Sequence, residues 1–287
     1  MKKSLSLILA VMTVLAALTL AACSGNTVDP TSAPEKTETA VSTGEGAPTA
    51  APTTETAAPT QSDVPTETPT PVPAKKSVND AIGATSALTS CAAKITMLVT
   101  TGGDEPVDTK AEYEIAVDGV TAKGSRTVTA AGHSATVNVY SNGDGVYVKG
   151  APDGAKASDY DLKAQIAAFT CKLPESAIAD EKTTEADGRF TLKTALTDEE
   201  VKAAFAQLLL SFDKAAGNYG VGAAVSDAAV EIEYGDYVFS YKISFKLEIK
   251  GTDSSSFSTV EATVLFTNPG ADLTVTAPDD LDSYTKL

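Results

Sequence analysis

The side chains best suited to covalent, redox or metal chemistry are three cysteines and a single histidine: Cys23, Cys91, Cys171 and His133. Cys23 stands apart because of what precedes it. Lys2 and Lys3 are followed by an apolar stretch from about residue 5 to residue 20, and then by two alanines. A basic start, an apolar segment and small residues, in that order, are typical of a cleaved export signal. Two alternatives stay open: a secretory signal in which Cys23 is incidental, and a retained transmembrane anchor, for which the apolar stretch is short.

The residues Leu20, Ala21, Ala22 and Cys23 resemble a bacterial lipobox. The resemblance implies that a lipoprotein signal peptide over residues 1–22 is removed and that the Cys23 thiol carries a diacylglycerol. One acyl chain holds a protein only marginally at a membrane, whereas two or more hold it stably. We therefore expect a lipid anchor at Cys23 that places the protein on the outer face of the cytoplasmic membrane.

The other two cysteines, Cys91 and Cys171, form an even pair in an exported domain, and such a pair favours a disulfide. Cys91 is expected at the end of the first helix and Cys171 just after the second, so both would lie near helix–sheet junctions. A bridge closing a loop of about 80 residues would stabilise the fold by on the order of 4 kcal/mol in the chain-entropy model. Two buried free thiols are the alternative, and the Cys-x-x-Cys spacing of a redox pair is absent.

The remaining chemistry is sparse. His133 falls between Gly132 and Ser134 in a predicted turn or strand start, without the companion histidines that a zinc site usually needs. No glycine-rich phosphate loop and no Gly-x-Ser-x-Gly nucleophile context occurs in the sequence. We therefore predict no catalytic residue, no metal and no cofactor, and expect a protein that is not an enzyme.

The charge of the chain excludes one class of partner. The formal net charge is −16, and no basic stripe interrupts the acidic background. A body this acidic is repelled by phosphate backbones. We therefore expect no nucleic-acid partner.

Composition divides the chain near residue 77. Residues 23–76 hold nine of the fourteen prolines and no aromatic residue, with Thr, Ala, Glu and Ser making up most of the rest. Such a segment cannot bury enough apolar surface to offset the entropy of ordering it, so it is predicted to be a disordered linker. Residues 77–287 contain every Phe and Tyr of the chain and are long enough for a single domain with a core.

Periodicity within the domain predicts three helices among many strands. The helices are expected from Val78 to about Thr89, from Asp159 to about Phe169, and from Thr197, whose side chain with that of Glu200 makes a capping box. The strands are expected over 93–99, 110–117, 121–129, 134–140, 146–148, 181–186, 189–196, 228–234, 237–249, 257–266 and 273–276. The thirteen-residue alternation from 237 to 249 favours a large, curved antiparallel sheet with one buried face. The expected fold class is α+β, with the helices packed on that face.

This arrangement resembles the LolA/LolB-like superfamily, which includes LppX-type lipoproteins and many Firmicutes surface lipoproteins. Four features carry the resemblance: the lipobox at Cys23, the helix before the strand at 95–99, the hairpin over 140–148, and the closing Thr276-Ala277-Pro278 with Leu281 and Tyr284. The resemblance implies a half barrel wrapped over two or three helices. It also implies a cavity in which better-known members hold lipids or acyl chains, although no binding motif carries over residue by residue.

Two functions therefore compete. The first is a non-enzymatic, membrane-anchored lipoprotein that binds a lipid, an acylated molecule or another amphiphile between sheet and helices. The candidate pocket residues are Phe205, Leu209, Phe212, Phe239, Tyr241, Ile243, Phe245 and Leu247. The same residues are also those expected in a filled core. The alternative function is a structural or interaction module without a cavity, which binds cell-wall polymer or a partner protein.

Overall fold

The computed structural model describes most of the predicted domain. The described residues are 77–102, 106–178, 183–206, 208–209, 223–250 and 255–287. The predicted signal peptide, the lipidation site Cys23, the predicted linker 23–76 and the pocket candidate Phe212 lie outside this part of the chain.

The described residues form an α+β fold, which confirms the expected fold class. The helices are α1 (Val78–Ser86), α2 (Leu162–Phe169) and α3 (Asp198–Ala204). The strands are β1 (Ser90–Thr101), β2 (Val107–Asp118), β3 (Thr121–Ala130), β4 (His133–Asn142), β5 (Gly145–Lys149), β6 (Thr183–Ala186), β7 (Arg189–Leu196), β8 (Ala223–Tyr234), β9 (Val238–Lys250), β10 (Ser255–Thr267) and β11 (Thr285–Lys286). All eleven belong to one open sheet, and every recorded pairing is antiparallel.

The sheet consists of two meanders joined side by side. Its strand order is β11-β5-β4-β3-β2-β1-β10-β9-β8-β7-β6, so β1 to β5 form one wing and β6 to β10 the other. The wings meet where β1 pairs with β10. Helix α2 lies in the connection from β5 to β6, and α3 lies in the connection from β7 to β8.

Alternation along the strands buries one face, which we call the inner face; the opposite one is the outer face. On β1, Ile95, Met97 and Val99 are almost fully buried, and their neighbours alternate outward. Apolar residues of all three helices, such as Ile82 and Val201, join the same core. The helices therefore pack on the inner face, as the strand pattern predicts.

Side-chain caps set the starts of the helices. Ser77 and Asp80 form a capping box at α1, and Asp161 caps α2 by accepting a hydrogen bond from the amide of Ala164 at 3.0 Å. Thr197 and Glu200 form the predicted capping box at α3. Each cap is typically worth about 1 kcal/mol. Because the cap of α2 is Asp161, this helix begins at Leu162 and not at the expected Asp159, which lies in a 3₁₀ turn over Ala157–Tyr160.

Two local predictions are wrong. The expected strand over 273–276 does not form, and the last strand is instead β11, which pairs with Val148 and Tyr147 of β5. Both sides of β10 are already taken, by β9 and β1, so the chain that follows β10 has no adjacent edge to join. Cys91 lies inside β1 opposite Val117, and not at the end of α1, because α1 stops at Ser86.

Two β-bulges interrupt the pairing of β8 with β9. In the first, Asp227 adds one residue to β8 and takes a left-handed backbone conformation with φ of 51°. In the second, the pairing shifts between Tyr234–Val238 and Glu233–Ser240, which leaves Phe239 as the extra residue on β9. Because side chains alternate along a strand, each extra residue reverses which side chains face the core.

Gly124 of β3 allows α2 to approach the sheet closely. A Cβ atom there would lie 2.8 Å from the carbonyl oxygen of Glu114 and 3.1 Å from a methyl carbon of Leu162. We predict that Gly124→Ala lowers the free energy of unfolding by about 1–3 kcal/mol, because helix and strand must separate. Denaturant unfolding monitored by circular dichroism measures the change. Gly143→Ala is the matched control, because nothing lies within 4 Å of a Cβ at that position; equal stability of the two variants would contradict the prediction.

Candidate functional site

The structure places most of the pocket candidates in one packed core. Phe205, Leu209, Tyr241, Ile243, Phe245 and Leu247 all belong to it, each with at most 7% of its surface exposed. The rings of Phe205 on the chain after α3 and Tyr241 on β9 meet edge to face with centroids 6.3 Å apart. These six residues therefore contact their surroundings as core side chains do.

Phe239 does not join them. It is the extra residue of the second bulge, and Val238 takes the fully buried position next to it. The guanidinium of Arg189 lies 4.0 Å above the Phe239 ring, and Arg189 also pairs with Glu233 at 2.7 Å. The strict alternation expected from 237 to 249 therefore fails at its first residues.

Helix α1 compensates for that bulge. The backbone N–H of Val238 donates a 2.8 Å hydrogen bond to the hydroxyl of Thr85, whose own proton goes to the carbonyl of Ala81 at 2.8 Å. A buried amide without a partner would cost about 1–3 kcal/mol. Thr85 therefore anchors α1 at the point where the ladder between β8 and β9 is broken.

Cys91 and Cys171 are free thiols in the structure. Burial raises the pKa of the Cys171 thiol to about 11, and its sulfur lies 3.7 Å from the carbonyl of Ala167. Burial also raises the pKa of Cys91, partly offset by the positive charge of Lys163. Both thiols are therefore protonated near neutral pH and are weak nucleophiles.

A small cavity lies between the helices and the sheet. It has a volume of about 60 Å³ and is bounded by residues of α1, α2, β1 and β10, among them Thr85, Cys91, Ile166, Thr170 and Phe266. Since a water needs at least about 10–15 Å³ of such space, this cavity admits a few waters and not a whole acyl chain.

The inner face also carries a polar cluster that the sequence pattern did not predict. Arg126 of β3 pairs in register with Tyr113 of β2 and hydrogen-bonds its hydroxyl, while burial raises the pKa of Tyr113. Tyr160 and Asp159 interact electrostatically with the same group of side chains. Gln165 of α2 follows Tyr160 by five residues in the sequence and is also buried. Its Oε1 has no hydrogen-bond partner among the described residues. The sequence did contain a signal for this cluster: Arg126 has the same parity along β3 as the buried Ala122 and Val128, which places it on the inner face.

The outer face carries a larger space. A groove of about 530 Å³ crosses β1, β10, β9 and β8. Its lining includes Thr100, Thr259, Lys246, Asp227 and the exposed Phe257. Hydroxyl and charged side chains share this groove with apolar atoms, which make up the larger part of its surface.

Comparisons with known proteins place the chain in no family: it matches no protein-family model and no curated protein. None of the described helices has the length and apolarity needed to cross a bilayer. Within the described part of the chain, no group of three or more metal-ligating side chains comes together. The arrangement of the described residues is therefore the main guide to function.

Phe245 distinguishes a filled core from the wall of an open pocket. We predict that Phe245→Ala lowers the free energy of unfolding by about 3–5 kcal/mol, because it leaves a void among buried neighbours. Phe257→Ala is the matched control, because that ring is 58% exposed, and it should change stability by less than about 0.5 kcal/mol. Urea denaturation measures both; a small loss for Phe245→Ala would indicate an open pocket wall.

Cys171 offers a test of the buried environment beside β9. With Cys23→Ser and Cys91→Ala removing the other thiols, alkylation of Cys171 by iodoacetamide should keep rising about tenfold per pH unit. The rise should level off only near the raised pKa of about 11. In urea the same thiol should level off near its ordinary value, and a plateau at that value in the folded protein would contradict the prediction.

Proposed function

We propose that this protein is a lipid-anchored, extracytoplasmic interaction module that is not an enzyme and binds its partner at the domain surface. The export signal and the lipobox at Cys23 support the anchor and the location on the outer face of the cytoplasmic membrane. The linker over residues 23–76, proline-rich and without aromatic residues, suits a spacer that holds the domain away from the membrane. Cell-wall polymer or another protein would then be the partner.

One observation carries this choice over an amphiphile carrier: the side chains expected to line a pocket are packed on one another. Six of the eight candidates are buried in the core, and Tyr241 donates a 2.9 Å hydrogen bond from its hydroxyl to the carbonyl of Cys171. Where α1 and α2 meet the sheet, the cavity among the described residues has a volume of about 60 Å³. A filled inner face favours recognition on the outside.

An amphiphile carrier is the second candidate, because the cavity lies where α1, α2 and the sheet meet. At about 60 Å³ it is too small for an acyl chain, so a carrier would have to enlarge it by separating the two helices. We infer further that the sheet curves into a half barrel over the helices, as in LolA/LolB-like proteins. The open antiparallel sheet of eleven strands, with the apolar sides of the helices packed in the core on its inner face, supports this shape.

Expression of the full chain and its Cys23→Ser variant in a bacterial host tests the proposal. The unsubstituted protein should sediment with membranes and incorporate labelled palmitate, whereas the variant, which lacks the acylated thiol, should take up no label. Native mass spectrometry of residues 24–287, expressed without the signal peptide, should then give the mass of the polypeptide alone. Absence of label from the unsubstituted protein would contradict the anchor, and a lipid mass retained on residues 24–287 would favour the carrier over the interaction module.

A further inference from the structure

The groove on the outer face combines hydroxyl, charged and aromatic side chains. Antiparallel register aligns Thr100 of β1, Thr259 of β10, Lys246 of β9 and Ser226 of β8 in one row across four strands. At ordinary strand spacing such a row spans about 14 Å. The adjacent row contains Phe257 opposite Glu248. Hydroxyl groups, one ion pair and one aromatic ring thus share a single open surface.

Phe257 is the unusual member of this surface. It is 58% exposed and is the only aromatic residue among the three most exposed large apolar side chains of the described chain. The backbone near it is fixed, because the amide of Gly102 donates a 2.7 Å hydrogen bond to the carbonyl of Phe257. An aromatic face carries partial negative charge, which attracts the polarised C–H groups of a ligand stacked on it.

The first bulge supplies the charged group of the groove. Because Asp227 is the extra residue of β8, Val225 before it and Ala228 after it are both buried, while Asp227 itself is exposed. Its carboxylate accepts a 2.7 Å ion-pair contact from the ammonium of Lys246. Bulges re-aim side chains in this way and are enriched beside functional sites. The pair presents donors and acceptors side by side with little net charge.

We propose that this groove binds a neutral oligosaccharide, an inference that deepens the proposed function and rests on it. Hydroxyl groups both donate and accept hydrogen bonds, so the threonine and serine row matches the hydroxyls of a sugar chain. Thr100 already donates its proton to Asp108 at 2.7 Å, which leaves its oxygen as an acceptor. The volume of about 530 Å³ falls within the usual range of ligand sites.

Charge selects an uncharged glycan over an anionic polymer. Asp227 offsets Lys246, Glu248 adds a negative group, and the chain carries a formal net charge of −16. Phosphate-rich or uronate-rich polymers are therefore repelled. A peptide strand has no ladder to join here, because β10 and β9 are paired on both sides.

The test is a titration of residues 24–287, expressed without the predicted signal peptide and lipid anchor, with cellotetraose and with tetra-N-acetylchitotetraose, followed by NMR chemical shifts. At least one of these neutral chains should shift the resonances of the groove rows. Phe257→Ala should weaken that binding by about tenfold, because the stacking surface is lost. Thr259→Val, which keeps the shape but removes the hydroxyl, should weaken it severalfold.

Leu265→Ala is the matched control, because Leu265 is an exposed residue on the same strand and face but outside the groove. It should leave the affinity unchanged, and melting curves should show that every variant remains folded. Absence of shifts with both sugars, equal affinity of Phe257→Ala, or tighter binding of oligogalacturonate would each overturn the inference. Palmitate labelling at Cys23 and the lipid-free mass of residues 24–287 test the proposed function separately, so a failure of glycan binding would leave both of those results unchanged.

Discussion

The pairing of β1 with β10 is the interaction on which the rest of the domain depends. Each wing of the sheet is a meander whose strands pair with their neighbours in the chain, but β1 and β10 are separated by eight strands. Their register runs from Ala92 opposite Thr267 to Thr101 opposite Ser258. To form this non-local pairing, the chain must lose the entropy of closing a loop that contains almost the whole domain. Without it the two wings would have no shared core.

The helices stabilise the junction between β1 and β10 because they contact strands on both sides of it. Helix α1 precedes β1 in the chain, yet it contacts β8 and β9 of the other wing, and Thr85 accepts the hydrogen bond from Val238 there. Helix α2 contacts β2 and β3 on one side and β10 on the other. The hydrogen bonds between wings and the apolar packing beneath them therefore stabilise each other.

Alternation of apolar residues was enough to predict most strands, because a half-buried strand repeats with a period of two. The hairpin turn at Asp187 and Gly188 and the capping box at Thr197 are local signals and were also predictable. The bulges at Asp227 and Phe239 could not be predicted in this way, because a residue is extra only relative to the strand with which it pairs, and the sequence alone does not give that pairing. Phe239 therefore left the predicted pocket set, although its residue type and position fit the pattern.

The candidate site was harder to predict than the fold. The same apolar residues line a pocket or fill a core, and only the distances between them decide which. The outer groove arises from registers across four strands, which bring Thr100 and Ser226 into one row from distant parts of the chain. The buried position of Arg126 could be predicted only after it was known which residues of β3 face the core.

The short strand β11 has a consequence for self-association. The outermost strand of an open sheet exposes unpaired backbone groups, which can recruit the strand of another molecule. Here β11 covers part of β5, with the amide of Leu287 donating to the carbonyl of Val146 at 2.9 Å and Lys149 joined to Asp280 at 2.7 Å. The opposite margin is β6, only four residues long and carrying Glu185. Among the described residues, His133–Val137 of β4 pair with β3 alone, so a strand of another molecule would find unpaired backbone there and not along the part of β5 that β11 covers.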